Sequence, residues 1–286
     1  MKIQICRKRL SRSTGGDMVI LTMLAAGAAF SALPLVFVIS SAFKPMNELF
    51  LFPPQFLVRN PTLKNFSDLL ILMGKSWVPI SRYLLNSVII VLLGLAGNII
   101  FGSLAAYVLS KHKFPGKKLV NDMILLSLMF ASPVVAIPNY LTLSYLGFIN
   151  TYWGVIVPTW GSTLGLYLMR NFMDTMIPDT YLEAARLDGA TELQIFWKVA
   201  MPLVKPAWLT MLILAFQHLW GVTGDNVLYA EQLKPLPYAL RQIAAGGIGR
   251  AGVTYAVALV MMTVPIVVFV VNQTKVVQTM ATSGID

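Results

Sequence analysis

Six long apolar stretches recur along the chain, at 18–43, 83–109, 119–143, 152–170, 203–222 and 252–274. Each approaches the ~20 residues that a helix needs to cross the hydrocarbon core of a bilayer. Charges inside them sit only at the ends, at Asp122, Arg170 and Lys205. The pattern predicts an all-α membrane protein of six transmembrane helices. Internal prolines such as Pro34, Pro133, Pro138, Pro158 and Pro265 are compatible with this reading, because neighbouring helices satisfy the freed carbonyls.

The first stretch follows Arg7-Lys8-Arg9, and small residues at Ala28-Ala29-Phe30-Ser31-Ala32 could serve a signal peptidase. A signal core runs to only about 7–15 residues, so an uncleaved first span is the expectation. The divisions are then a basic tail (1–17), the first span (18–43), an extracytoplasmic loop (44–82), a core of five helices (83–274) and a C-terminal tail (275–286).

One apolar-looking segment does not fit the lipid phase. Residues 178–200 carry Asp179, Glu183, Arg186, Asp188, Glu192 and Lys198. A central charge costs about 2.5–3.5 kcal/mol on insertion, and a Leu returns only about 0.3–0.6. The segment therefore stays out of the bilayer. Its local signals are two short helices around a hinge. Asp179 or Thr180 can cap the first, and Thr180 with Glu183 has capping-box spacing. Gly189 stands where that helix stops, in a position suited to a left-handed cap. Thr191 with Gln194 repeats the capping-box spacing. The four acids of 179–192 against one base, Arg186, argue for a protein partner over an anionic lipid surface.

Composition agrees. Of 286 residues, 57% are hydrophobic and 12% charged, against about 25% charged in soluble domains. The formal net charge of +10 would raise nucleic acid in a soluble protein. Here the basic residues flank apolar stretches and report orientation. Lys2, Arg7, Lys8, Arg9 and Arg12 crowd the tail, Lys111, Lys113, Lys117 and Lys118 crowd 110–118, and 144–151 has none. Both termini are expected to be cytoplasmic, and so is 178–200, between spans four and five. The long loops 44–82 and 223–251 translocate despite their charges.

The lone cysteine, Cys6, cannot form an internal disulfide, and His112 and His218 have no zinc spacing. No nucleophile–base–orienter set is visible, and no metal or cofactor is expected in this chain. A nucleotide-binding G-x-x-x-x-G-K-[ST] is also missing: before Gly116-Lys117 the first glycine is Lys111, and Lys118 follows.

Within the membrane, His218 beside Gln217 admits three readings: a hydrogen bond at a helix contact or near the outer interface, a substrate-pathway contact, or a proton relay. Asn139, Tyr140, Asn86 and Asn98 are similar cases, since polar side chains in spans often join helices. Gly94, Gly97 and Gly102 predict close helix packing. Trp153 and Trp220 are expected as interfacial anchors.

Glu183-Ala184-Ala185, then Gly189, then Val199-Ala200-Met201-Pro202 resembles the E-A-A-x-x-x-G…I-x-L-P loop of permease subunits of ABC importers. Asn86-Ser87, Ala106-Tyr107-Val108-Leu109-Ser110 with Phe114-x-Gly116-Lys117, and Leu146-Gly147 with Asn150-Thr151 resemble the carbohydrate branch. They are similar to the smaller permease subunit of the maltose transporter. The resemblance implies a heterodimer with a second homologous permease. It also implies two ATP-binding subunits that hold ATP and Mg, an extracytoplasmic solute-binding protein and a carbohydrate substrate, all at the plasma or inner membrane. It implies ATPase docking through Glu183, Ala184, Ala185 and Gly189, with Arg186 and Asp188 as neighbours. The alternative is a secondary transporter driven by an ion gradient, which predicts a buried ionisable cluster.

Overall fold

The structure is a computed structural model and describes residues 14–130 and 132–282. Cys6 and most of the basic tail lie outside the described residues. Among those described there is no strand; the elements are α1 (Thr14–Ala42), α2 (Met46–Leu49), α3 (Lys64–Gly74), α4 (Ile80–Lys111), α5 (Lys117–Ser127), α6 (Ser132–Tyr145), α7 (Trp153–Trp160), α8 (Thr163–Met176), α9 (Asp179–Leu187), α10 (Glu192–Ile195), α11 (Met201–Leu203), α12 (Lys205–Trp220), α13 (Leu236–Ala244) and α14 (Ala251–Thr282).

Three helical stretches among the described residues are long and apolar enough to cross a membrane: Gly16–Ala42, Ile80–Lys111 and Ile248–Asn272. A fourth arises if Glu192–Leu203 and Lys205–Trp220 are joined, but these are bent by 81°. The bend falls at Val204, between Pro202 and Pro206, so 192–203 leaves the axis of α12. The other apolar stretches are divided. The third splits into α5 and α6 ahead of Pro133. The fourth splits into α7 and α8 at Gly161-Ser162, where the Ser162 hydroxyl accepts the Gly165 N–H at 3.3 Å and caps α8. Pro34, Pro138, Pro158 and Pro265 sit inside helices without ending them. The apolar pattern located the stretches but did not show where they break.

α4 is the central post, packed on α7, α8 and α12. Its glycines make that possible. A Cβ on Gly97 would collide with the Trp160 indole, one on Gly94 would lie 2.8 Å from Leu219, and one on Gly102 would lie 2.8 Å from Met211. Asn86 is fully buried and joins elements: its Nδ2 donates to the carbonyls of Gln232 (2.9 Å) and Lys234 (2.8 Å). Its Oδ1 accepts the Tyr152 hydroxyl at 2.7 Å. Asn98 Nδ2 donates to Thr159 O at 2.6 Å. Trp220 departs from expectation. It is buried rather than interfacial, because its Nε1 donates to Met261 O at 3.0 Å and so ties α12 to α14. Trp153 stays half exposed.

Candidate functional site

The segment after α8 forms a hairpin of two short helices standing on the α4 end that carries Lys111. α9 is held by a single buried side chain, Leu182, 2% exposed. Leu182 enters a cluster with Tyr107, Met173, Ile177, Ile195 and Phe196. Every neighbour of Leu182 on α9 faces outward or partly so, including Tyr181, Glu183, Ala184 and Leu187. Glu183 and Ala184 are exposed, Ala185 is half-buried, and Asp188 and Gly189 are exposed at the tip.

Gly189 has φ +79°. The turn is a Schellman cap: Ala190 N–H reaches Ala185 O at 3.1 Å and Gly189 N–H reaches Arg186 O at 3.0 Å. The second helix opens on the expected capping box, with Gln194 N donating to Thr191 Oγ1 (3.4 Å) and Thr191 N to Gln194 Oε1 (3.0 Å). The first capping box does not form. Pro178 occupies the N-cap with no side-chain cap, which places Asp179 and Thr180 inside the first turn. Asp179 instead faces Lys111.

α4 grips the hairpin at both ends. Lys111 Nζ donates to Ile177 O at 2.7 Å and to Asp179 Oδ1 at 2.9 Å. At the other end, the Tyr107 hydroxyl donates to Glu192 Oε2 at 3.2 Å, and His112 Nε2 lies 3.5 Å from the same oxygen. Arg186 closes the loop by donating Nε to Glu192 Oε1 at 2.7 Å. That guanidinium holds the Glu192 carboxyl below its ordinary range, and Lys111 does the same for Asp179. Arg186 is thus spent inside the hairpin, whereas the Glu183 carboxylate has no ion-pair partner among the described residues. Nothing in the sequence pattern signalled that Tyr107 and Lys111 would clamp residues 66 to 85 positions later.

A second constellation lies at the other end of the core. Asn139 on α6 and Gln217 and His218 on α12 line one cavity of about 670 Å³. Thr223, Asp225 and Asn226 contribute from the loop after α12. His218 also borders a second cavity, about 500 Å³, with Asn98, Thr159 and Ser162. The two cavities share Pro158, Thr159 and His218. The first is bounded by the end of α12 and the loop after it, and the second reaches the α7–α8 break at Ser162. Asn139, Gln217 and His218 are exposed, and the His218 side chain makes no hydrogen bond among the described residues. Asp225 accepts from the Thr223 hydroxyl at 2.7 Å and is paired with Arg241. Asn150, at φ 59°, pins the same loop by accepting from Tyr229 N (3.0 Å) and Ala230 N (2.8 Å).

Among the described residues no group of His, Cys, Asp and Glu could hold a metal ion. A further Gly-Lys occurs at Gly74-Lys75-Ser76, but Leu69 stands at its first-glycine position, and it ends α3 instead of following a strand.

The comparisons with known proteins bear on the whole arrangement. Residues 98–278 match the family model of the binding-protein-dependent transport system inner membrane component. The chain belongs to that family. It is 27% identical over 270 residues to the galactooligosaccharides transport system permease protein GanQ of Bacillus subtilis (strain 168), covering 92% of this chain and 93% of that one. It is 29% identical to the arabinooligosaccharides transport system permease protein AraQ of Halalkalibacterium halodurans, covering 86% and 89%. Its fold matches a chain of a bacterial ABC transporter involved in the import of the acidic polysaccharide alginate. There the TM-score is 0.75 at 24% identity, over 90% of this chain and 95% of that one. The hairpin and both cavities fall inside or at the start of the matched region. These relatives are transport permeases, and this inner-membrane component is accordingly a multi-pass membrane protein.

Proposed function

We propose that the chain is the permease subunit of a carbohydrate-importing ABC transporter, coupled to its ATPase through the α9–α10 hairpin. The observation that carries the reading is α9 itself. Its exposed Glu183 and Ala184, with no ion-pair partner for Glu183 among the described residues, are mounted on the core by Leu182 and the α4 clamp. An outward-facing helix with a fixed base transmits rigid-body motion, because packed elements move as units and do not deform continuously.

In this reading the membrane carries six spans, the broken α5–α6 and α7–α8 pairs each making one, with both termini and the hairpin cytoplasmic. A second homologous permease completes the pathway. Two ATP-binding subunits hold ATP and Mg, and an extracytoplasmic solute-binding protein delivers a sugar or oligosaccharide. The names of the relatives support the carbohydrate class, and a complex of a similar alginate transporter with its pentasaccharide-bound periplasmic protein supports the delivery partner. Asn139, Gln217 and His218 supply hydrogen-bonding groups along the cavities, suited to a hydroxyl-rich solute. The ion-gradient alternative draws no support from the cavity of Asn139, Gln217 and His218, whose one acid, Asp225, is paired with Arg241.

Glu183→Lys tests the docking. Loss of ATP-driven uptake, with the chain still inserted in the membrane, is expected. Uptake that persists with unchanged ATPase association would show that α9 is not the docking element.

A further inference from the structure

The loop between α1 and α3 is tied at its base by buried polar groups. Lys44 is 2% exposed and donates Nζ to Gln55 O and, at 3.5 Å, to Phe56 O. Glu48 is 5% exposed and accepts from Arg59 N at 2.7 Å and Asn60 N at 3.5 Å. Asn65 Nδ2 donates to the carbonyls of Ala42 (2.9 Å) and Lys44 (2.8 Å), and Thr62 N to Phe43 O (2.8 Å). The result is a closed loop of fixed shape, of the compact kind that packs its own ends together.

The loop does not project away from α1. It turns back along it. Phe56 packs on Phe37 with ring centroids 5.6 Å apart, and the Lys44 ammonium lies 5.3 Å from the same ring. Phe37 precedes the last residue of α1 by five positions, about 7.5 Å along a helix axis. The loop therefore sits beside the end of a span, at the depth of its last turns. That span, Gly16–Ala42, is apolar and has none of its hydrophobic window buried within the chain. Residues 49–58 carry no charged side chain. Phe50, Leu51 and Leu57 are exposed, and Phe52 is 93% exposed.

We propose that residues 50–57 form a membrane anchor, inserting their apolar side chains at the headgroup–acyl boundary beside the end of α1. A lipid surface is the occupant because the tip packs through Phe56 on Phe37, beside the last turns of an apolar span, and carries no charge to hold it in water. Monotopic segments bury their apolar face about 5–10 Å into this boundary. The anchor would fix the cap built from α2 and α3 against the bilayer, independently of how the hairpin couples to an ATPase.

The test uses the full chain in the membrane of the cell that makes it. Phe52→benzoylphenylalanine is illuminated, and the adducts are identified by mass spectrometry. A phospholipid adduct is expected at position 52 and not at the control position 66, whose ring packs on Phe43 at 5.3 Å. An adduct with a solute-binding protein or another permease chain would overturn the proposal, and so would no lipid adduct above the control. As a second measurement, Phe52→Trp should add emission that is quenched by lipids brominated near the headgroup end of the acyl chain. Added emission untouched by those lipids would count against insertion.

Discussion

The α9–α10 hairpin and the cavity of Asn139, Gln217 and His218 are built in opposite ways. The hairpin is contiguous: its exposed face, its glycine turn and its second cap lie within 179–195, and only the clamp comes from elsewhere. The cavity gathers α6, α7, α12 and a loop, and it depends on where helices stop. The hairpin is charged and exposed on a narrow base, while the cavity is walled by breaks in otherwise apolar stretches. An exposed hairpin can thus be written in one short segment, whereas a cavity is a property of tertiary packing. Disturbing the two regions separately should therefore produce separable failures.

The largest effect is expected from Leu182→Ala. It removes the one fully buried contact of α9, and truncating a buried Leu costs about 2–5 kcal/mol. The amides of α9 should lose hydrogen-exchange protection and ATPase association should fall, while the α4–α7 contact at Gly97 stays protected. Equal loss in both places would show that the hairpin and core are one cooperative unit. Next comes Gly189→Ala. A left-handed conformation costs an L-residue about 1–2 kcal/mol, and Gly189 sits at φ +79° with open space around it. The strain is therefore in the backbone alone. Gly189→Asn should recover part of the loss, because Asn tolerates that region; no rescue would mean that the turn has a role beyond geometry.

The cavity should answer differently. Gln217→Ala and His218→Ala each remove hydrogen-bonding groups worth about 0.5–1.5 kcal/mol. Half-saturating solute concentration in uptake should rise by about two- to tenfold per substitution, with ATPase association unchanged. If either substitution instead weakens association, the two regions are not separable.

The sequence made the hairpin readable because its signals are local. Glu183, Gly189 and the Thr191–Gln194 box need only neighbours a few residues away. The Thr180–Glu183 box misled for the same reason: spacing permits it, but Pro178 takes the N-cap and Lys111 draws Asp179 outward. The clamp from Tyr107 and Lys111 was not legible, since nothing in an apolar period tells which helix end a later segment will stand on. Composition indicated that Asn139, Gln217 and His218 were notable, but not that they share a cavity. That follows from α6, α7 and the end of α12 meeting the loop after α12, which a bilayer-length apolar stretch conceals. Gly97 lies between these extremes, since close packing was predictable but its partner, Trp160, was not.

The smallest effect concerns acid. Arg186 donates to Glu192, and Lys111 to Asp179, so both carboxyls ionise below their ordinary values of 4.5 and 3.8. A carboxyl with a depressed folded value contributes stability that is fully present above the unfolded value. That contribution is lost as pH falls through the folded one. The hairpin should therefore loosen only below about pH 4.5, and further below about 3.8. Because both carboxylates are largely exposed, solvent screens the pairs and the change is modest. Protection of α9 amides, followed from neutral pH downward, should decline in that window while α4 amides around Gly97 hold. Glu192→Gln should remove the upper part of the decline, and Asp179→Asn the lower part. An α9 whose protection ignores pH would show that Leu182 alone carries the hairpin and that the ionic clamp sets its angle without stabilising it.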